Sequence, residues 1–492
     1  MRVLMITPEV TPFAQTGGLG EVLSSLPAAL VSLGAEVDVL MPKYRRITQE
    51  RFDIEKTNLR VEVDLNANTV SAGFWRLRNS GGPRVFFLEC DEYYDRDDLY
   101  GDEDGDYKDN AERFVFLARS AIEMALVEDI HYDVFHSHDW QSALAPVYIR
   151  TLYAGLPLLA KSASVMTIHN LGYQGIFWHW DMPLIGVGWE YFNPRFMEFH
   201  GHVSLLKSGI VFADKVNTVS RGYCEEILTP EFGFGLEGVL QEKGSDLKGI
   251  LNGVDYEIWD PHKDPMIAAG YSPGDLSGKA ACKAELQVRA GLPTEPKTPL
   301  IAMVSRLSSQ KGIDLVEAVI PALAAQGVQF VLLGTGEDRY QYSFRKLAQD
   351  YSENTGIFLS YDYELAHKIF AGADMVLVPS RYEPCGLNQM YAMKYGAIPI
   401  VRATGGLRDT VDQFDPDRET GAGFKFDDPE PSALKETILK ALDLYRTNPV
   451  AWQNLMVRAM KQDFSWERSA REYLRLYEQA VENRARMLRD SV

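Results

Sequence analysis

One carboxylate, Glu383, stands directly ahead of Pro384-Cys385-Gly386 and shortly after the apolar run Val376–Val378, which ends at Pro379. This pattern fits a buried parallel strand leaving its sheet at the carboxyl end, followed by a loop and a helix opening at the small residues. The strand Ala397–Val401 follows, and Thr404-Gly405-Gly406 opens a second helix N-terminus. Two amide-rich turns flanking a carboxylate suit a ligand that carries both hydroxyls and phosphate. Upstream, Arg306 and Lys311 follow the strand Leu300–Val304 and supply two positive charges suited to a diphosphate. Basic residues at a helix start oppose the helix dipole, so a ligand is the better reason for them. His138-Asp139-Trp140 and His169-Asn170 end two further strands, Asp133–Ser137 and Ser164–Ile168.

The elements that must position these groups form two β/α series. The first opens with a strand at Arg2–Thr7, a turn-rich loop, a helix from about Leu19 to Leu33 stopped by Gly34, and a strand at Glu36–Met41. Gly17 and Gly18 lie where that helix begins, but GxGxxG is absent, so no dinucleotide fingerprint is present. Alternating segments at Arg60–Leu65, Val70–Leu77 and Arg84–Leu88 predict antiparallel strands inserted in this series. The acid-rich stretch Asp91–Asn110 lacks the glutamate and the glycine position of an EF-hand and reads as a solvated loop. Asp109 and Glu112 fit a capping box for a helix through Val127. Further strands are predicted at Lys215–Val219 and Lys248–Leu251, the latter leading to Asn252. The proline- and glycine-rich segment Asp260–Ser277 reads as an interdomain connection. A second series has strands at Leu300–Val304, Gln329–Leu333, Ile357–Leu359, Met375–Val378 and Ile398–Val401, and an amphipathic helix runs from Trp466 to about Leu488. The pattern predicts an α/β chain of two doubly wound, Rossmann-like domains.

Length and composition agree with this. A chain of 492 residues exceeds one ordinary core. The net charge of −19 argues against nucleic acid and anionic membrane as partners and is compatible with a neutral polysaccharide. Cys90, Cys224, Cys282 and Cys385 are widely spaced, without a CxxC pair, and suggest neither disulfides nor zinc. No apolar run reaches the roughly 20 residues that span a bilayer, and MRVLMITPEV lacks the apolar core of a signal peptide. A cytoplasmic location is the expectation.

Glu383-Pro-Cys-Gly-Leu, SRLSSQKG at Ser305–Gly312, TIHNLGYQG at Thr167–Gly175 and TGGLGEV at Thr16–Val22 together resemble bacterial glycogen synthase and the plant starch synthases. The matching blocks run along the whole chain. That family moves glucose from ADP-glucose to the non-reducing end of an α-1,4-glucan or maltooligosaccharide. The resemblance implies the GT-B fold: an N-terminal domain over 1–255 on the acceptor side and a donor domain over 256–465, facing each other across a cleft. A C-terminal helix over 466–492 crosses back to the first domain. It implies that Arg306 and Lys311 meet the pyrophosphate, Tyr361 stacks on adenine, and Thr404, Gly405 and Gly406 bring amides to the distal phosphate. Glu383 with Cys385, Gly386 and Leu387 would hold glucose hydroxyls. His169 would contact the sugar near the reacting centre, Asp139 would help orient sugar and acceptor, and Asn170 and Asn252 would lie near the ligand. Gln15, Gly17 and Gly18 would form a donor-side loop.

Many related transferases have a second glutamate eight residues after the first; Tyr391 stands there, as in glycogen synthases. The resemblance implies a reaction that retains the α configuration. No second carboxylate is evident as a covalent nucleophile, so departure and attack on the same face are expected, and with no DxD clamp no metal or cofactor is expected. Two positions depart from the family: Gln15 replaces its lysine and Glu21 its aspartate. The first leaves open a UDP-glucose-type donor, and a catalytically weak glucan-binding protein stands as the alternative of another class.

Overall fold

The computed structural model describes residues 1–66, 68–78 and 81–490. It forms two compact units, Met1–Gly253 with Trp466–Val492, and Val254–Ser465.

The first unit is built on a nine-stranded sheet. From one edge the order is Leu247–Gly249, Lys215–Thr218, Ala163–Ile168, Val134–His138, Arg2–Ile6, Glu36–Pro42, Arg84–Glu89, Asn68–Leu77 and Ile54–Leu65. All neighbours are parallel up to Arg84–Glu89, after which the last two strands run antiparallel. The parallel strands are apolar because both faces are covered: Val3, Leu4, Met5 and Ile6 are wholly buried, as are Val39, Leu40 and Met41. Ile54–Leu65 instead alternates buried and open positions towards its end, as an edge strand with one solvated face must. After Arg2–Ile6 the chain builds outward to one side, then returns to place Val134–His138 on the other. The order therefore reverses beside Arg2–Ile6, and the loops leaving these two strands open at that switch point.

The second unit holds a six-stranded parallel sheet ordered Thr355–Phe358, Gln329–Leu333, Leu300–Val304, Met375–Val378, Ile398–Arg402 and Phe424–Phe426. Here the reversal falls between Leu300–Val304 and Met375–Val378, the strands that precede Arg306 and Glu383.

The helix Trp466–Asp490 belongs to the first unit. Trp466, Ser469, Ala470, Tyr473, Leu476, Tyr477, Ala480 and Asn483 recur at helical spacing and are buried against it. Ser469 Oγ donates to the carbonyl of Leu251 at 2.5 Å, and Arg484 Nε to that of Ala160 at 3.0 Å. A Cβ on Gly253 would lie 2.6 Å from Trp466 Cα, so the helix start and residue 253 fit only with glycine there.

Several elements differ from the sequence reading. The helix Asn110–Val127 has Asp109 at its N-cap, but that side chain makes no cap. Arg96 takes both of its carboxylate oxygens, a charge-assisted pair that outcompetes a backbone amide. The stretch Asp260–Ser277 is not a connection but packs inside the second unit. Asp264 accepts from His367 Nδ1 at 2.7 Å and from the Tyr395 hydroxyl at 2.6 Å, and Tyr271 donates to the carbonyl of Tyr395. The chain passes between units at Gly253–Val254 and Ser465–Trp466 instead. The helix after Glu383 begins only at Asn388, because Gly386 takes a left-handed turn at φ 72°. Asp91–Asn110 contains a short helix, Asp91–Tyr94, and a two-residue hairpin as well as loop. Among the described residues no helix is long and apolar enough to cross a membrane, and no cluster of three or more His, Cys, Asp or Glu could hold a metal ion.

Candidate active site

In the second unit the loops at the switch point converge on Glu383. Lys311 Nζ lies 2.6 Å from Glu383 Oε2, and Ser380 Oγ donates to the same oxygen at 2.8 Å. The side chains are nearly buried, so the pair is shielded from solvent and the carboxylate is fixed in direction. Lys311 reaches this point because the turn Ser309–Lys311 packs on the end of the neighbouring strand. A Cβ at Gly312, whose φ is 67°, would fall 2.2 Å from the Pro379 carbonyl oxygen. Arg306 follows Leu300–Val304, is exposed, and makes no ion pair or side-chain hydrogen bond among the described residues. Its charge is therefore available to an anion.

The loop after Glu383 is held by a residue absent from the sequence reading. Gln389 Nε2 donates to the carbonyls of Cys385 at 3.2 Å and Gly386 at 2.8 Å, and to Thr410 Oγ1 at 3.0 Å. Among the described residues the amides of Gly386 and Leu387 donate to no protein acceptor. The neighbouring turn at Thr404–Gly406 is less open than the sequence suggests. The amide of Gly406 donates to the Glu383 carbonyl at 3.0 Å and that of Thr404 to the Arg402 carbonyl at 2.9 Å. Gly406 thus spends its amide on joining two loops, and Thr404 spends its own on a turn within one. A Cβ at Gly406 would lie 2.1 Å from the Cys385 carbonyl oxygen, which accounts for glycine at this crossing. Gly405 stands between them at φ 45°, and Tyr361 is exposed on the loop after Thr355–Phe358.

In the first unit the switch point gathers Asp139, His138, His169 and Asn170. Asp139 is buried with φ 56°, a strained backbone for a residue with a side chain. Its Oδ1 accepts from the amide of His169 at 2.7 Å, and the Asn170 amide also donates to its carboxylate. Burial pushes its pKa up to about 7, and those two amides partly offset the rise. His169 Nε2 lies 3.0 Å from His138 Nδ1, and burial lowers the pKa of His169 to about 3. His138 is held well below the ordinary histidine value, by burial first and by its histidine neighbours second. Both rings are therefore neutral near pH 7.

The tautomer of this pair follows from His138 Nε2, which is buried without a hydrogen-bond partner. A buried N–H without an acceptor costs more than an unused ring lone pair, so the His138 proton sits on Nδ1. It is donated to His169 Nε2, and His169 carries its own proton on Nδ1 as a hydrogen-bond donor. Beneath His138 lies the His136 ring, 4.0 Å away between centroids. His136 contacts Thr167 Oγ1 at 2.6 Å and the Tyr477 hydroxyl at 2.8 Å, and Asn217 bonds both Thr167 and Tyr473. The C-terminal helix thereby props up the histidine stack.

The loop ahead of the first helix is anchored by Glu9, another residue that the sequence did not single out. Its carboxylate accepts from the Thr16 amide at 2.6 Å, the Thr16 hydroxyl at 2.7 Å and the Tyr100 hydroxyl at 2.5 Å. The side-chain oxygen of Gln15 accepts from the Thr11 hydroxyl, which turns it back onto its own loop. Gly17 and Gly18 are exposed at the helix start, and a Cβ on Gly17 would meet nothing within 4 Å. Asn170 Oδ1 accepts from the Gly172 amide at 3.0 Å and closes a local turn. Asn252 is buried with its side-chain oxygen unpartnered.

Comparisons with known proteins place the chain in a family. Residues 2–242 match the starch synthase catalytic domain and residues 286–453 match glycosyl transferases group 1. The chain is 45% identical to glycogen synthase of Koribacter versatilis, over 99% of this chain and all of that one. It is 43% identical to glycogen synthase 1 of Geobacter metallireducens, over 98% and 97%. The catalytic domain of starch synthase IV from Arabidopsis thaliana, solved with ADP and acarbose bound, superposes with a TM-score of 0.91 at 32% identity, over 98% of this chain and 99% of that one. With two parallel α/β sheets, motifs in the family's order, and near-full-length identity to glycogen synthases, this chain belongs to the glycogen synthase and starch synthase family of GT-B glycosyltransferases.

Proposed function

We propose that the chain transfers glucose from ADP-glucose to the non-reducing end of an α-1,4-glucan, with retention of configuration. The observation that carries this reading is the Glu383 carboxylate held by Lys311 and Ser380 at the switch point, with the exposed Arg306 following the neighbouring strand. The Arabidopsis relative was solved bound to ADP and acarbose, a nucleoside diphosphate and an oligosaccharide analogue.

Each group has a role that its surroundings suit. Arg306 and Lys311 offset charge growing on the departing diphosphate, Arg306 by two parallel hydrogen bonds and Lys311 as a point charge. Glu383 Oε2 is engaged by lysine and serine, so the carboxylate binds sugar hydroxyls rather than attacking carbon. The amides of Gly386 and Leu387 donate to further hydroxyls, and Tyr361 offers an exposed ring to adenine. Asp139 fixes the amides of His169 and Asn170, and His169 Nδ1–H donates to a sugar hydroxyl. Asp139 spends its carboxylate on those amides and is no covalent nucleophile. The acceptor hydroxyl therefore attacks from the face that the diphosphate leaves, and its proton passes to the leaving phosphate oxygen. Gln15, Gly17, Gly18 and Asn252 complete the donor and sugar contacts.

The test is a donor panel with glycogen primer, scoring radiolabelled glucan. ADP-glucose should be preferred over UDP-glucose. Preference for UDP-glucose would reassign the donor, and glycogen binding without transfer from any donor would make the chain a glucan-binding protein.

A further inference from the structure

All three exposed tryptophans of the chain lie between positions 178 and 189: Trp178, Trp180 and Trp189 are 60%, 57% and 47% exposed, whereas the other five are half-buried or buried. The local fold puts them outside the core. Ile176–Trp178 is the edge strand of a three-stranded antiparallel sheet, paired with His202–Ser204. Alternation turns Phe177 inward, with its ring 5.6 Å from that of Trp140, and leaves Ile176 and Trp178 outward. The rings hold one another by edge contacts. Trp178 and Trp180 centroids are 6.2 Å apart at 65°, Trp180 and Trp189 are 5.7 Å apart at 76°, and Trp189 rests on Phe192 at 5.7 Å. The indoles are ordered by each other while large parts of their surfaces meet solvent.

We propose that this patch on the first unit is a landing surface for an α-1,4-glucan chain, separate from the residues assigned to the reaction. The inference rests on the reading of the enzyme as an α-glucan transferase and adds a second glucan contact to it. Glucose rings present C–H faces that pack on indole, with hydroxyls left at the rim for water. Three rings tilted by 65° and 76° suit a curved polymer, which the α-1,4 linkage produces, better than a flat surface. The segment 176–192 contains no lysine or arginine, which disfavours nucleic acid and anionic lipid. A stable protein partner would need roughly 20–30 residues a side, far more than a handful of rings. An exposed aromatic cluster of this kind marks a binding surface rather than a core defect.

The experiment uses the full chain with Trp178→Ala/Trp180→Ala, and with Trp180→Phe as a variant that keeps an aromatic face. Native electrophoresis through glycogen-containing gel reads binding without donor, and initial rates compare glycogen with maltotriose as acceptor. The double variant should bind glycogen about tenfold more weakly, with its KM for glycogen raised in parallel and its maltotriose kinetics held within about twofold. Trp180→Phe should retain most of the binding. Unchanged glycogen retardation in the double variant overturns the proposal. Equal loss with maltotriose also overturns it, since the patch would then belong to the reacting site. A wild-type dimer that becomes monomeric in the double variant, with glycogen binding intact, assigns the patch to a second copy instead. Wild-type protein that binds glycogen through these rings but transfers glucose to no α-glucan would refute the proposed reaction and leave the surface standing.

Discussion

Lys311 Nζ and Glu383 Oε2 are 2.6 Å apart, and the Ser380 hydroxyl meets the same carboxylate oxygen. The lysine therefore neutralises a buried carboxylate, and in the proposed reaction the same charge serves the diphosphate. Lys311→Ala should lower kcat about a hundredfold or more, through lost stabilisation of leaving-group charge. It should also cost roughly 3 kcal/mol of stability, because Glu383 is left buried and uncompensated. Lys311→Ala/Glu383→Gln should recover most of that stability without recovering turnover. Denaturant melts and steady-state rates check both; a double variant as unstable as the single one would count against the coupling.

In the proposed reaction, the contact between His138 and His169 gives His138 the role of a positioning residue. His138→Ala should lower kcat about tenfold with little change in KM for the acceptor, since His169 keeps its backbone contact to Asp139 but loses its tautomer and orientation. His169 also becomes better solvated, so its pKa should climb from about 3 towards the usual 6.5 and an acid limb should appear near pH 6 in the rate profile. An unchanged profile would mean that His138 is only packing.

Two opposed titrations lie at this switch point. His136 and His169 have folded pKa values of about 3, below the unfolded value of roughly 6.5, so the unfolded chain binds more protons between them. Their contribution to stability is present above about pH 6.5 and is lost as pH falls towards 3. Asp139 is the reverse: its folded value near 7 exceeds the unfolded value of about 3.9, so its contribution is present below about pH 4 and is lost as pH rises through 7. Unfolding free energies of wild type and Asp139→Asn, measured from pH 4 to 8, should diverge in that window, with the wild type losing ground as pH rises. Parallel curves would place the Asp139 pKa near its ordinary value.

Gly17 and Gly406 are both candidate site glycines with different reasons for being glycine. Gly406 is required by the fold, through the Cys385 carbonyl, and Gly17 has open space around its Cα. Gly406→Ala should cost stability on the order of 2 kcal/mol through overpacking. Gly17→Ala should leave the melting temperature unchanged and raise the donor KM. A large drop in Tm for Gly17→Ala would reassign that glycine to the fold.

In the same loop, Gln15→Lys should lower the ADP-glucose KM by roughly tenfold, the equivalent of about 1–2 kcal/mol from one added positive charge near an anion. The substitution also frees the Thr11 hydroxyl from its glutamine partner. A higher KM would show that the loop has been refitted around glutamine, and assays with ADP-glucose and UDP-glucose side by side would reveal a change of donor.

The parallel strands were legible because burial on both faces demands continuous apolar runs, and the loops leaving them were legible because polar residues there break those runs abruptly. Arg306, Lys311, Glu383, His169 and Asp139 could therefore be placed at strand ends from sequence. The groups that fix them could not. Ser380 and Gln389 look like ordinary polar residues until the chain brings them to Glu383 and to Gly386. His138 acts through a partner on another strand. Glu9 reads as a loop acid, although it anchors Thr16 and Tyr100 at once. Local spacing also misassigned Asp109, since Arg96 becomes its neighbour only when the loop closes. Asp260–Ser277 has the composition of a connection, yet Asp264 and Tyr271 bury their polar atoms against Tyr395.

The return of the helix Trp466–Asp490 to the first unit has a consequence for biosynthesis. Asn217 and His136 find their partners Tyr473 and Tyr477 more than two hundred residues downstream. At roughly 5–20 residues per second, a ribosome needs tens of seconds to make the intervening chain. During that interval the nascent first unit holds a histidine and an asparagine that have Thr167 but still lack their tyrosine partners, and a greasy groove awaiting Trp466 and Leu476. Val254–Ser465 can collapse on its own sheet as it emerges, so the half of the chain made first is the half completed last.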